Sequence, residues 1–258
     1  SSLVGKAFGP IMFIWFTMIA VLGLNFVVQY PEILKAINPY YAFKILIISP
    51  NALMILGAVF LCTTGAEALY SDLGHCGRSN IRISWIYVKT CLLLNYMGQG
   101  VWLHQHQGSL LNDAKPFYGM MPDWFLFIGI GIATAAAIIA SQALISGSFT
   151  LISEAVRLNL WPKVRINYPS DQKGQLYVPS MNWLLWLGCL IVVFIFQESA
   201  KMEAAYGLSI TITMLMTTIL VSFYLKRKKF PTYMIVLFLT VYGIIELTFL
   251  TGNLTKIH

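Results

Sequence analysis

Trp124-Phe-Leu-Phe-Ile-Gly-Ile-Gly-Ile-Ala-Thr-Ala-Ala-Ala-Ile-Ile-Ala-Ser-Gln-Ala-Leu-Ile-Ser-Gly-Ser-Phe149 contains no charged side chain from end to end. A helix needs roughly 20 apolar residues to cross about 30 Å of hydrocarbon. The stretch lacks the alternation of a half-buried strand, and it is too long for the roughly ten-residue segments of a membrane barrel. It reads as a membrane helix. Six further runs of similar character flank it, at about 9–29, 50–70, 81–104, 178–196, 202–225 and 231–251. The chain is therefore expected to be an all-α polytopic membrane protein.

Composition agrees. Hydrophobic residues make up 58% of the 258 and charged ones 10%, against roughly 25% charged in soluble domains. So much apolar surface needs the bilayer as its solvent. The net charge of +7 comes from basic residues set between the apolar runs, which points to membrane topology and not to nucleic acid. Lys226, Arg227, Lys228 and Lys229 form the strongest cluster. Placing them in the cytoplasm puts the loop 226–230 and the amino end inside, with most of the other lysines and arginines.

Several chemistries find no footing in this sequence. Cys62, Cys91 and Cys189 lie in apolar runs and Cys76 in a short polar connection, with no metal-ligand or disulfide spacing. Phosphate-binding loops, HExxH and Ser/His/Asp patterns are missing, so no enzyme activity and no cofactor are expected. The run 231–251 holds no lysine for a retinal Schiff base.

Polar residues inside the runs carry the functional reading. Charge in hydrocarbon costs roughly 2.5–3.5 kcal/mol on insertion scales. Glu67 follows Thr63-Thr64-Gly65, where glycine tolerates irregular backbone and threonine can satisfy freed carbonyls. A helix broken there would expose carbonyls and helix ends to an ion. Alternatively, Glu67 caps or pairs locally at the cytoplasmic interface. Asn95 and Gln99 either line a cavity or bond between helices. Ala133, Ala137 and Ser141 form a small-residue stripe that suits packing. Glu246 stands without a neighbouring break and is expected to be structural or near the outer interface.

At these same strings the chain resembles the Kup/HAK/KT family of potassium-uptake permeases. The resemblance runs in order through Tyr30–Ala42, Thr64–His75, Leu94–Gly100, Ile139–Gly147, Gly174–Trp183, Ala204–Thr211 and Leu250–Ile257. Cys76 departs from it, standing where the family more often has an aromatic residue. The resemblance implies a LeuT-type inverted-repeat fold of twelve helices. Of these the chain would hold about helices five to eleven: the second five-helix repeat plus a flanking helix on each side. The first repeat, last helix and cytosolic tail would lie outside it. It implies potassium import into the cell across the plasma membrane, generally as proton symport, with possible homodimers. It implies an ion site at Thr64, Glu67 and Tyr206, with Gly65, Asn95 and Gln99 as secondary polar positions. A proton-coupled amino-acid permease of the same architecture, or a non-transporting membrane subunit or receptor, are the alternatives.

Overall fold

A computed structural model describes residues 2–64, 78–108, 115–169 and 176–254, with the side chains of 2–6, 63 and 78 left aside. Helices dominate. They are α1 (Ser2–Gln29), α2 (Pro39–Ile48), α3 (Ala52–Thr63), α4 (Arg78–Gln105), α5 (Asp123–Arg157), α6 (Pro179–Phe196), α7 (Ser199–Arg227) and α8 (Thr232–Leu254). A 3-10 segment at Pro31–Ile37 leads from α1 to α2, and a single helical turn at Pro116–Gly119 precedes α5. Among the described residues, strand-like pairing is confined to one antiparallel bridge between Asn167 and Tyr177.

Among the described residues, five helices are long and apolar enough to cross a membrane: Ala7–Gln29 within α1, and the whole of α5, α6, α7 and α8. They are apolar around their full circumference yet bury few side chains within the chain; α6 buries none. A helix apolar on every side needs either a large protein core or lipid around it. The protein is an all-α, multi-pass membrane protein. The 28-residue α4 carries Arg82 and Lys89 and is less apolar. The Lys89 ammonium lies 4.9 Å from the centre of the Trp85 ring, a cation–π contact.

Two compact units divide the chain. The first comprises residues 1–41 and 67–182. Within it α1 crosses α4 along most of its length and also meets α5. The crossing is made by glycine: a Cβ at Gly98 would stand 2.5 Å from the Gly23 Cα, and one at Gly23 would collide with the Leu94 carbonyl. Such contacts let two helix backbones touch, which is how membrane helices gain packing energy without a hydrophobic drive between them. Around the crossing, Met18, Ile19, Cys91 and Met121 form a buried apolar cluster, with Trp15, Tyr87 and Phe117 packed against it. Tyr87 stacks on Phe13 and its hydroxyl donates to the Phe13 carbonyl at 3.1 Å.

The second unit comprises residues 42–66 and 183–258. In it α8 packs against both α7 and α3. Glycine again sets the spacing: a Cβ at Gly57 would lie 2.9 Å from the Gly252 backbone, and Phe60 meets Phe249 at 4.9 Å between ring centres. The turn from α7 to α8 is a Schellman motif. Lys229 takes the left-handed conformation (φ 59°), and the Phe230 N–H donates to the Leu225 carbonyl at 3.1 Å.

Candidate functional site

Thr64 ends α3. Its backbone is extended (φ −76°, ψ 169°), and its hydroxyl donates to the Leu61 carbonyl at 2.8 Å. The helix thus stops at Thr63–Thr64, and the threonine hydroxyl satisfies one carbonyl of its last turn. Gly65 and Glu67 lie outside the described residues.

Tyr206 sits on α7 in the same unit and is 50% exposed. Its neighbour Gly207 is buried, and the Leu61 side chain comes within 3.3 Å of the position a Cβ would take there. Leu61 is also the residue whose carbonyl receives the Thr64 hydroxyl. Packing of α3 on α7 therefore brings the Thr64 end of one helix and the Tyr206 level of the other together, with Leu61 and Gly207 as the meeting point. Two of the three expected cation residues share one local framework.

Asn95 and Gln99 belong to α4, in the first unit. Asn95 is buried at the glycine crossing, where a Cβ on Gly23 would lie 2.7 Å from its Cα, and its Oδ1 has no partner among the described residues. Gln99 is half-buried. The same unit has a polar hollow at the Gln29 end of α1, lined by Tyr30, Glu32, Lys35, His104 and Gln107 among others. There the Glu32 carboxylate, bonded at 3.0 Å, holds the exposed Lys35 ammonium above its usual range. Tyr30 packs against His104 with ring centres 4.9 Å apart.

Of the polar seam between α7 and α8, sequence reading singled out Glu246 and passed over its neighbours. Thr211, Thr218 and Ser222 on α7 and Glu246 and Asn253 on α8 are all buried. Glu246 is only 2% exposed, and its Oε1 accepts the Thr218 hydroxyl at 2.6 Å. Thr211 bonds back to the Gly207 carbonyl. The Asn253 amide donates to the Phe249 carbonyl at 3.0 Å and its Oδ1 faces Gly207. The signal was present as a spacing: Thr211 to Thr218 and Glu246 to Asn253 are both steps of seven, which keep a residue on one helix face. Among the described residues no group of three or more His, Cys, Asp or Glu side chains could hold a metal ion.

Comparison with known proteins bears on the whole chain. The description "K+ potassium transporter integral membrane domain" matches residues 1–258. The chain is similar to a "Probable potassium transport system protein Kup" of Flavobacterium johnsoniae, 58% identical over 99% of this chain and 40% of the relative. The like-named protein of Cytophaga hutchinsonii is 60% identical over 99% of this chain and 40% of its own length. That of Clostridium perfringens is 51% identical over 99% and 39%. The chain spans about 40% of the length of the curated relatives it matches. No solved structure matches.

Proposed function

The chain belongs to the K+ potassium transporter family of integral membrane proteins, and on that premise we propose that it is part of a permease that carries potassium into the cell by proton symport. The family match over every residue, at 58–60% identity to proteins named for potassium transport, is the observation that carries this reading.

The chemistry suits the cargo. Potassium is a hard monovalent cation that gives up its hydration shell only to oxygen ligands. Thr64 offers a hydroxyl at a helix end, Glu67 a carboxylate and Tyr206 a phenol. The meeting of Leu61 and Gly207 supports Thr64 and Tyr206 acting in one place. Glu67, three residues beyond Thr64, would add the charge that balances the ion. In the proposed LeuT-type arrangement the break after α3 opens the second inverted repeat, and the first repeat supplies the remaining ligands. The amino end and the loop 226–230 face the cytoplasm in this arrangement. The bilayer is the surrounding partner, and the complete protein forms homodimers.

The test is rubidium uptake by the full-length protein in liposomes under an inward proton gradient. Glu67→Gln keeps the size and removes the charge, and uptake normalised to folded protein is expected to fall to background. Thr64→Val and Tyr206→Phe each remove one oxygen and are expected to raise the half-saturating rubidium concentration about tenfold, the equivalent of about 1.4 kcal/mol. Normal kinetics in a well-folded Glu67→Gln protein would remove this site.

A further inference from the structure

Glu246 lies in the body of α8, and its surroundings are unusual for an acid. One oxygen has the Thr218 hydroxyl at 2.6 Å. The other, Oε2, is buried and meets no hydrogen-bonding partner among the described residues. A carboxylate removed from water needs donors or a cation at both oxygens, and one hydroxyl does not meet that need. Charged side chains are distant on the faces packed against it. The titratable groups of α3 reduce to Cys62, and on the α8-facing row of α7 the charged residue is Lys226, two helical turns from Thr218. That separation is about 12 Å along the axis.

A second observation concerns access. A cavity of about 510 Å³ opens between the ends of α7 and α8, lined by Ser222, Lys226, Phe230, Thr232 and Ile235 among others. Ser222 is buried and its hydroxyl donates to the Thr218 carbonyl at 2.8 Å. The cavity lining reaches Ile219 and Ser222 on α7, Ser222 being one helical turn from Thr218, and Leu239 on α8, two helical turns from Glu246.

We propose that Glu246 is a proton-binding residue that exchanges its proton with water in this cavity. Oε2 takes the proton from a hydronium ion, forming an O–H bond and releasing water, and the carboxyl becomes neutral; the reverse step returns the proton to water. Thr218 holds the other oxygen throughout. The proposal rests on the proton-coupled reading above and adds a carboxyl to it. Glu67 meets the cation, whereas Glu246 holds the proton that enters or leaves at the Lys226 end.

The experiment has two readouts on the full-length protein. In infrared spectra at neutral pH, the C=O stretch of a protonated carboxyl is expected in the wild type, lost in Glu246→Gln and retained in Glu67→Gln. In liposomes, Glu246→Gln is expected to keep rubidium–potassium exchange at matched pH while accumulation driven by a proton gradient falls about tenfold or more. Glu67→Gln loses both activities. A carboxyl band that survives Glu246→Gln, or gradient-driven accumulation equal to the wild type, would overturn the assignment. Should Glu246→Gln fail to fold, Thr218→Val keeps the acid and removes its donor, so the band must move to higher frequency; an unmoved band overturns the assignment too. A wild-type protein that moves no rubidium would instead sink the transport reading, and the infrared result would then judge the carboxyl alone.

Discussion

The α1–α4 crossing and the α7–α8 crossing each close on a buried glycine and surround it with opposite chemistry. At the first, Gly23 and Gly98 bring the backbones together beside a cluster of Met18, Ile19, Cys91 and Met121. At the second, Gly207 meets Asn253, and the rest of the seam holds Thr211, Thr218, Ser222 and Glu246. Lipid chains are as apolar as leucine, so an apolar cluster gains from fit alone, and glycine provides that fit. Buried hydroxyls and a carboxyl add a cost that packing does not require. The difference separates helices held together from helices that also hold something.

The largest expected effect tests what the two crossings share. Gly98→Ala drives a Cβ against the Gly23 backbone, and Gly207→Ala drives one to 2.5 Å from the Asn253 Oδ1. Gly98→Ala should cost about 3 kcal/mol or more, since it overpacks against backbone, and Gly207→Ala about 1–3 kcal/mol, since the Asn253 side chain must shift. The measurement is the melting temperature of the full-length protein in detergent. Gly131→Ala, which meets nothing within 4 Å, is the matched control and should lie within about 0.5 kcal/mol of the wild type. Tolerance of either crossing variant would break the shared premise.

The next effect tests what the crossings do not share. Thr218→Val keeps the shape of the side chain and leaves Glu246 Oε1 without its donor. The loss expected is about 1–3 kcal/mol. In a double-mutant cycle with Glu246→Gln the coupling should fall near 0.6–1.7 kcal/mol, roughly the range for hydrogen bonds between membrane helices. A coupling of zero would make the seam mere packing and erase the contrast.

The smallest effect sharpens the contrast within α7 itself. Tyr206 is half exposed and lies on the same helix as the buried Thr218. Tyr206→Phe should therefore shift stability by less than about 0.5 kcal/mol, even though the proposed ion site predicts weaker rubidium binding. A large drop in melting temperature would recast Tyr206 as a packing residue.

Much of the architecture could be read before any coordinates, because length and apolarity are properties of a segment by itself. The run 124–149 lies within α5, 202–225 within α7, and Thr63-Thr64-Gly65 marked where α3 stops. The segment from Pro31 to Ile48, a 3-10 stretch and a ten-residue helix, carried no such signal: it is too short to span and is broken by Asn38-Pro39. Partners are a different matter. Periodicity places Thr218 and Glu246 each on a helix face, but no local rule pairs residues 28 positions apart. Glu246 was visible as an acid in an apolar run and was expected to be structural or near the outer interface; its burial depends on which helix lies opposite. Gly23 and Gly98 likewise look like any scattered glycines until the two backbones are seen to touch.

The 35 residues of α5 make it about 52 Å long, whereas the 18 of α6 give about 27 Å. A bilayer core near 30 Å fits the shorter helix upright. The longer one must lean steeply, thicken the lipid around it or carry its Glu154–Arg157 end out into the headgroups. Mismatch of this kind costs fractions of a kcal/mol per Å, a cost α6 hardly incurs. Of these two neighbours in sequence, α5 therefore takes most of any change in membrane thickness, so lipid chain length acts on this protein as a lever on one helix.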